Sequence, residues 1–193
     1  MKIAIIDYGS GNIQSVQFAL QRLGHNGILS ADPEVIATAD KVLFPGVGEA
    51  SSAMNRLQKT QLDLLIPQLR QPVLGICLGM HLLSKTSEEG NTACLDIFDT
   101  AVVRFPNTVK VPQVGWNTLY NLRSELFKGI PEQEFMYLVH SYYAPLSKEC
   151  IAAADYGICY SAALQRDNFF GVQFHPEKSG LMGEKLLSNF LKL

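Results

Sequence analysis

A cysteine and a histidine–carboxylate pair are the residues of this sequence best suited to do chemistry. Cys77 lies in the segment Gly75-Ile76-Cys77-Leu78-Gly79, and the pair, His175 and Glu177, lies in Phe174-His175-Pro176-Glu177 near the end of the chain. A cysteine supplies a nucleophile, a histidine supplies the base that activates it, and a carboxylate orients that base. Brought together by folding, the three residues would form a triad that acts through a thioester.

The residues around Cys77 predict a sharp turn from a strand into a helix. An apolar, β-rich run ends at Cys77, and a helical pattern follows it. This is the cysteine counterpart of the G-x-S-x-G nucleophile elbow. Gly75 and Gly79 are small enough for so tight a turn. The alternative is that Cys77 is only a small core residue, as free cysteines often are.

His175 is expected at the same edge of the sheet as Cys77. It follows the apolar run from Phe169 to Phe174, and groups just past the carboxyl ends of parallel strands meet in one crevice. His81 and His140 are expected near the same crevice, whereas His25 falls in a turn.

A glycine-containing loop follows another apolar run. In Pro45-Gly46-Val47-Gly48 the glycines allow backbone N–H groups to face a bound anion or a developing oxyanion. Taken alone, the segment favours an ordinary tight turn. Beside a nucleophile, it becomes a candidate oxyanion loop.

Composition and charge narrow the class of protein. The chain has 193 residues, 47% hydrophobic and 18% charged, which is ordinary for a globular protein with a substantial core. The formal net charge of −2 offers no basic surface for nucleic acid or a membrane, and no apolar run is long enough to span one. We expect neither partner.

The cysteines indicate a reducing compartment. The four of them form no CxxC pair, so we expect free thiols, no metal site and no cofactor, and a cytoplasmic protein. Apart from Cys77, none has a glycine frame, and all three are expected to be small core residues: Cys94, Cys150 and Cys159.

Strand and helix patterns alternate in the first half of the chain, which predicts parallel strands joined by right-handed crossovers. The strand patterns cover Lys2 to Asp7, Lys41 to Phe44 and Pro72 to Cys77, and the helical ones cover Ile13 to Leu23, Ala50 to Leu57, Leu62 to Leu69 and Leu78 to Lys85. Because these strands are apolar throughout, the sheet is expected to be covered on both faces.

The second half is richer in strands. The runs are Val102-Val103, Lys110 to Val114, Phe135 to Val139, Ile151 to Asp155, Ile158 to Gln165 and Phe169 to Phe174, before a last helix from Gly180 to Leu191. Asp155-Tyr156-Gly157 suits a hairpin connection. We therefore predict one α/β domain over residues 1–193, with a central, mostly parallel mixed sheet flanked by helices and antiparallel strands added in the second half.

The three chemical motifs together resemble the class I (triad) glutamine amidotransferases, whose signature is a PGxG loop, a GxCxG elbow and a late HPE. Four further segments resemble the glutaminase subunits of imidazole glycerol phosphate synthase in particular. They are Asp7-Tyr8-Gly9-Ser10-Gly11-Asn12, Val111-Pro112-Gln113-Val114-Gly115-Trp116-Asn117, Tyr137-Leu138-Val139-His140-Ser141-Tyr142 and His175-Pro176-Glu177-Lys178-Ser179. The resemblance runs over nearly the whole chain.

The resemblance implies roles for individual residues in hydrolysing L-glutamine to glutamate and ammonia. Cys77 would be the nucleophile, His175 the general base and then acid, and Glu177 its orienting carboxylate. The oxyanion hole would come from the backbone of Gly46, Val47 and Leu78. The substrate's α-amino and α-carboxylate groups would be held by residues matching Gly48, Glu89, Ser141 and Tyr142.

The resemblance also implies a partner. In that family the ammonia passes to a (βα)8-barrel cyclase, which makes imidazole glycerol phosphate and AICAR from PRFAR in histidine biosynthesis. Five residues match positions facing this cyclase subunit: Asn12, Trp116, Asn117, Tyr137 and Lys178.

Two positions depart from the family pattern. His81 stands in the glutamine pocket where the family usually has glutamine, and Gln113 stands in the partner-facing segment where it usually has histidine. Neither change removes a triad residue.

Other functions fit the triad alone. One is a glutaminase for pyridoxal phosphate, anthranilate or guanylate synthesis, and another is a Cys-His peptidase on the same fold. A third is a non-catalytic subunit whose pocket, altered at His81, serves only for binding.

Overall fold

The chain folds into a central sheet with helices on both faces, as the alternating patterns predict. The computed structural model describes residues 1–9 and 12–193; Ser10 and Gly11 of the first family motif lie outside the described residues. The helices are α1 (Ile13–Arg22), α2 (Pro33–Ala37), α3 (Ala50–Lys59), α4 (Leu62–Leu65), α5 (Leu78–Leu83) and α6 (Gly180–Lys192).

The strands continue the same order along the chain. They are β1 (Ile3–Ile6), β2 (Gly27–Ser30), β3 (Lys41–Gly46), β4 (Val73–Cys77), β5 (Ser84–Ser87), β6 (Thr92–Ala93), β7 (Phe98–Arg104), β8 (Gln113–Thr118), β9 (Phe135–His140), β10 (Tyr142–Pro145), β11 (Cys150–Asp155), β12 (Cys159–Arg166) and β13 (Phe169–Val172).

The strand order brings the two halves of the chain together at the centre of the sheet. It runs β2-β1-β3-β4-β13-β12-β10-β7-β5-β6, and β11 pairs with β12 beside this path. The strands from β2 to β13 are parallel to one another, and β12 turns antiparallel to β13. The mostly parallel mixed sheet with antiparallel additions is confirmed.

Each parallel strand feeds two cores, because successive side chains point to opposite faces. In β1, Ile3 and Ile5 pack with the buried faces of α1 and α6, while Ala4 and Ile6 pack with those of α2 and α3. The strand is fully buried for this reason, as are β3, β4 and β13.

β8 and β9 stand apart as a two-stranded antiparallel ribbon, which we call the β8–β9 ribbon (Gln113–Thr118 and Phe135–His140). Its register pairs Trp116 with Tyr137 and Gln113 with His140. Burial alternates along β9, so one face of the ribbon packs inward and the other faces outward.

Several predicted boundaries were wrong for identifiable reasons. β3 does not stop at Phe44 but runs through Pro45 to Gly46, because its pairing with β1 ends earlier and proline then costs no hydrogen bond on that side. The strand predicted over Lys110 to Val114 begins at Gln113, after Pro112, which has no N–H to donate.

The helix after Cys77 is also shorter than predicted. It ends at Leu83 because Ser84–Ser87 forms β5, which pairs with β6 and β7. The segment Leu62 to Leu69 divides into α4 and a 3-10 turn at Ile66–Gln68, which contains a proline. The hairpin at Asp155-Tyr156-Gly157 is confirmed by the antiparallel pairing of β11 with β12.

Of the helices the structure describes, none is long and apolar enough to cross a membrane.

Candidate active site

Cys77 occupies the strained turn that its neighbours predict. It is the last residue of β4 and directly precedes α5, with φ +53° and ψ −108°, a backbone conformation that non-glycine residues rarely adopt. A Cβ atom at Gly79 would lie 1.8 Å from the carbonyl oxygen of Phe44, and one at Gly75 would lie 2.8 Å from the carbonyl carbon of Gly79. Both glycines are therefore required by packing.

The register of β3 against β4 places the glycine loop beside the nucleophile. Gly46 pairs directly with Cys77. A Cβ atom at Gly46 would lie 2.2 Å from the hydroxyl oxygen of Tyr8, and that hydroxyl donates a hydrogen bond of 3.2 Å to the carbonyl of Pro45. Val47 and Gly48 follow on the exposed rim, so backbone N–H groups of the loop lie close to the cysteine.

His175 and Glu177 form a buried pair next to Cys77. Nδ1 of His175 lies 2.8 Å from Oε1 of Glu177, and the residues are 3% and 7% exposed. Burial lowers the pKa of His175, but hydrogen bonds to Cys77 and Glu177 outweigh it and raise the pKa to about 10. At neutral pH the ring is therefore in its charged form, with a proton on each nitrogen.

One pocket is lined by Cys77, His175 and the residues predicted to bind glutamine, whereas the buried Glu177 does not line it. Its volume is about 350 Å³, and it is lined by residues of the loop, the elbow, the late motif and the end of β9: Val47, Gly48, Cys77, Leu78, His81, Glu89, Pro112, Val139, His140, Ser141, Tyr142, His175 and Lys178. All five residues predicted to lie in the glutamine pocket are among them. The buried Gly46 lies behind the rim.

Glu89 supplies a carboxylate to the wall of this pocket. Its Oε2 accepts a hydrogen bond of 3.0 Å from the backbone N–H of Ala50, at the start of α3. Burial raises the pKa of the carboxyl group, and the Ala50 N–H partly offsets that shift. A half-buried carboxylate suits an ammonium group of a small ligand.

His81 faces the pocket but is bonded away from it. It is 4% exposed, and its Nε2 lies 2.7 Å from Oε1 of Gln173. Burial lowers the pKa of His81 to about 4, and the hydrogen bond to Gln173 opposes that shift. The side chain is a neutral imidazole at neutral pH.

Gln113 belongs to the segment predicted to face a partner, but its side chain does not face outward. It is 3% exposed, because it lies on the inner face of the β8–β9 ribbon. Its side-chain amide lies 3.0 Å from Nε2 of His140 and accepts a hydrogen bond of 3.1 Å from the hydroxyl of Tyr160. Nδ1 of His140 donates to the carbonyl of Tyr142, so this buried network supports the pocket wall from beneath.

The outward face of the β8–β9 ribbon is apolar and exposed. Trp116 packs edge-on against Tyr137 at a ring-centroid distance of 5.9 Å, and Nζ of Lys178 lies 6.0 Å from the Tyr137 centroid. The apolar residues of this outward face are markedly exposed: Val114 60%, Trp116 55%, Phe135 53% and Val139 37%.

The other two residues predicted to face a partner are Asn117, at the margin of this face, and Asn12, which lies outside it at the start of α1. Asn117 is half-buried and donates a hydrogen bond of 2.8 Å to the carbonyl of Asp155, which ties the ribbon to β11. Asn12 is half-buried at the start of α1 and accepts a hydrogen bond of 2.9 Å from the hydroxyl of Ser15.

Backbone hydrogen bonds connect the ribbon directly to the late motif. The N–H of His175 donates to the carbonyl of Tyr137 at 2.9 Å, and the N–H of Tyr137 donates to Oγ of Ser179 at 3.0 Å. Val139 places its carbonyl 3.8 Å from Sγ of Cys77. The strand that carries the exposed aromatic face therefore also touches the nucleophile and its base.

Gln173 is a residue of the site that was not predicted from the sequence. It is fully buried, contacts both His81 and Cys77, and is the one polar side chain in the run Phe169 to Phe174, which was its signal. The prediction that Cys159 is a core residue was also wrong, because it is exposed at the hairpin end of β12. Among the described residues no cluster of side chains is suited to hold a metal ion.

Solved structures with low sequence identity share this fold. A putative GMP synthase protein from Thermoplasma acidophilum has a TM-score of 0.78 at 19% identity, and the match covers 100% of this chain and 92% of that one. A glutamine amidotransferase has a TM-score of 0.76 at 16% identity, covering 100% and 98%.

Sequence relatives are far more similar. The chain is 55% identical to the imidazole glycerol phosphate synthase subunit HisH of Bacteroides fragilis strain YCH46 and 54% identical to the subunit of the same name of Bacteroides thetaiotaomicron, each match covering 100% of both proteins. The family model described as glutamine amidotransferase class-I matches residues 4–193. The chain therefore belongs to the class I glutamine amidotransferases and, within them, to the imidazole glycerol phosphate synthase HisH subunits.

Proposed function

We propose that this chain is the glutamine amidotransferase subunit of an imidazole glycerol phosphate synthase. It hydrolyses L-glutamine to glutamate and ammonia, and the ammonia passes to a cyclase subunit for histidine biosynthesis. The observation that carries the proposal is a pocket in which a cysteine with a strained backbone lies beside a histidine that is hydrogen-bonded to a buried carboxylate. The 55% identity to a subunit of that name, over the full length of both proteins, supports the choice of synthase.

In the proposed mechanism Cys77 attacks the side-chain amide carbon of glutamine. The S–C bond forms while the carbonyl electrons move to oxygen, and N–H groups of Val47 and Leu78, next to Gly46, stabilise that oxyanion. His175 then gives its proton to the amide nitrogen, so ammonia leaves and a thioester remains. Water, deprotonated by His175, hydrolyses the thioester to glutamate and restores the cysteine.

Glu177 keeps the imidazole in place throughout this cycle. Its Oε1 receives the Nδ1–H of His175, which leaves Nε2 to exchange protons with the sulfur, the leaving ammonia and the water. The second oxygen, Oε2, is buried and has no hydrogen-bond partner among the described residues. Among the described residues, the hydrogen bond from His175 is therefore the side-chain contact that stabilises the charge of this carboxylate.

Residues at the rim of the pocket bind the α-amino and α-carboxylate groups of the substrate. The Glu89 carboxylate accepts the α-ammonium group, and Gly48, Ser141 and Tyr142 receive the α-carboxylate through backbone and hydroxyl donors. His81 forms the wall beside the side-chain amide. A pocket that is lined by both a carboxylate, Glu89, and a cation, Lys178, is complementary to a zwitterionic amino acid.

The (βα)8-barrel cyclase subunit docks on the outward face of the β8–β9 ribbon. An apolar face of this kind is typical of a protein interface rather than a free surface. Trp116 and Tyr137 form its aromatic centre, Lys178 and Asn117 lie at its edge, and Asn12 adds a contact from α1. Because β9 also touches Cys77 and His175, ammonia leaves the pocket close to the partner.

We infer further that residues 1–193 act as one amidotransferase domain in the cytoplasm. Two cores on opposite faces of one sheet support a single folding unit. The four free cysteines support a reducing compartment.

The proposal is tested by measuring glutamate release by the full chain with and without the cyclase subunit. We expect release to rise with the cyclase, and Cys77→Ala to abolish it while still binding the cyclase. Cys94→Ala, which alters a cysteine outside the pocket, is the matched control and should keep wild-type release. Wild-type release by Cys77→Ala would refute the proposal.

A further inference from the structure

A buried hydrogen-bonded chain links His81 to the nucleophile through Gln173. Nε2 of His81 lies 2.7 Å from Oε1 of Gln173, and Nε2 of the same glutamine lies 3.9 Å from Sγ of Cys77. Gln173 is 0% exposed, so its amide is shielded from bulk solvent. It directly follows β13, the strand that pairs with the nucleophile strand β4.

The placement of the Gln173 amide and the neutral state of His81 together set the direction of these hydrogen bonds. Burial lowers the pKa of His81 to about 4, with the Gln173 bond opposing, so the ring is neutral at neutral pH and has one N–H. Because Oε1 of Gln173 faces Nε2 and a carbonyl oxygen only accepts, the one N–H of His81 lies on Nε2 and donates to Oε1. The amide NH2 of Gln173 faces the sulfur of Cys77.

We propose that Gln173 is a catalytic residue that donates a hydrogen bond to the Cys77 thiolate, and that His81 is a positioning residue that holds the Gln173 amide in the donating orientation. This inference rests on the proposed role of Cys77 as nucleophile. The other titratable groups near the sulfur are His175, which hydrogen-bonds to both Cys77 and Glu177, and His140, which is bonded to the Tyr142 carbonyl. Glu89 and Lys178 line the same pocket.

The hydrogen bonds from His81 through Gln173 to Cys77 act before the substrate is attacked. An amide N–H bond to a charged sulfur is stronger than one to a neutral thiol, so it favours the thiolate in the free pocket. When the S–C bond forms, the negative charge moves to the substrate oxygen and no covalent change occurs at Gln173. The effect therefore falls on the population of reactive cysteine rather than on glutamine binding.

The test is the rate of alkylation of Cys77 by iodoacetamide in the full chain, followed by mass spectrometry of the Cys77 peptide over a range of pH. Gln173→Met keeps the side-chain length and removes the donor. We expect it to slow alkylation at neutral pH about tenfold, the usual scale for a hydrogen bond to a charged group, and to move the pH profile upward. Exposed Cys159, in the same samples, should react at an unchanged rate.

His81→Leu tests the positioning role. We expect a smaller slowing than in Gln173→Met, and the double variant should be no slower than Gln173→Met alone, because His81 acts through Gln173. Gln165→Met on β12, away from the pocket, is the matched control and should match the wild type. In an assay of glutamate release, Gln173→Met should have a lower kcat and a KM within about twofold of the wild-type value, because the change acts on the cysteine and not on glutamine binding.

Three results would overturn the inference. They are a wild-type alkylation profile in Gln173→Met, faster alkylation in that variant, which would mean that the amide oxygen faces the sulfur, and additive slowing in the double variant. Alkylation reports on the sulfur whether or not glutamine is hydrolysed. A wild-type protein that releases no glutamate would therefore reject the proposed function and leave the alkylation comparison to decide the role of Gln173.

Discussion

The nucleophile elbow and the β8–β9 ribbon lie next to each other but differ in what constrains their residues. In the elbow, Gly75 and Gly79 are so tightly packed that even a methyl group would collide with backbone atoms. On the outward face of the ribbon, Val114 and Trp116 are more than half exposed and meet no core. The first region is determined by the chain's own packing, whereas the second is the surface on which we propose that a partner docks.

Changing the elbow should give the largest effect. Gly79→Ala would force a Cβ atom against the Phe44 carbonyl, which is held in β3, so we expect a loss of at least about 3 kcal/mol in the free energy of unfolding, with no glutaminase activity. Urea denaturation measures this. Val114→Ala, at an exposed ribbon position, is the comparison and should stay within about 0.5 kcal/mol of the wild type. Equal stability of the two variants would remove the distinction between the regions.

Truncating the ribbon's central aromatic residue should separate binding from stability. Trp116→Ala removes a 55% exposed side chain, so unfolding should change little, whereas binding of the cyclase subunit should weaken by about 2 kcal/mol, roughly thirtyfold in Kd. Calorimetric titration gives the Kd. Leu64→Ala, a 62% exposed position on α4, is the control and should bind normally. Unchanged binding by Trp116→Ala would mean that the partner docks elsewhere.

The network under the ribbon should give the smallest and most specific effect, a change in acid stability. Burial lowers the pKa of His140 to about 3, while its bond to Tyr142 opposes the shift. Below pH 6.5 the unfolded chain gains a proton at this residue that the folded chain does not, so stability is full above pH 6.5 and falls as pH drops toward 3.

In His140→Gln the free energy of unfolding should therefore fall less steeply between about pH 6.5 and 4, even though the variant is less stable overall. The difference in slope should correspond to up to about one fewer proton taken up on unfolding. His81, with its pKa near 4, accounts for a second part of the wild-type slope. Tyr160→Phe removes a neighbour in the same network that does not titrate in acid, and it should keep the wild-type slope. An identical slope in His140→Gln would show that the ring is not held neutral by burial.

The sequence allowed prediction of the parts of the fold that depend on local pattern. The elbow, the glycine loop and the late motif follow apolar strands, and the carboxyl ends of parallel strands meet at one edge, so the proximity of Cys77 and His175 could be predicted without coordinates. Strand β5 was missed because its polar sequence, Ser84–Ser87, has no apolar alternation and depends on pairing with β6 and β7.

Contacts between distant segments could not be predicted. Gln113 belongs to the same partner-facing segment as Trp116, but the odd spacing between them places the two side chains on opposite faces of the strand. The bond from Gln173 to His81 joins the end of β13 to α5, and no spacing in the sequence encodes it. Burial of such polar side chains is decided by tertiary pairing alone.

The central claim is that Cys77 is the activated nucleophile of a glutamine pocket. The most direct measurement is covalent labelling of the full chain with a glutamine analogue that carries a chloromethyl ketone in place of the side-chain amide, read by peptide mass. We expect one adduct, on Cys77, that excess L-glutamine prevents. Labelling of exposed Cys159 with Cys77 left free, or labelling of Cys77 that glutamine does not slow, would contradict it.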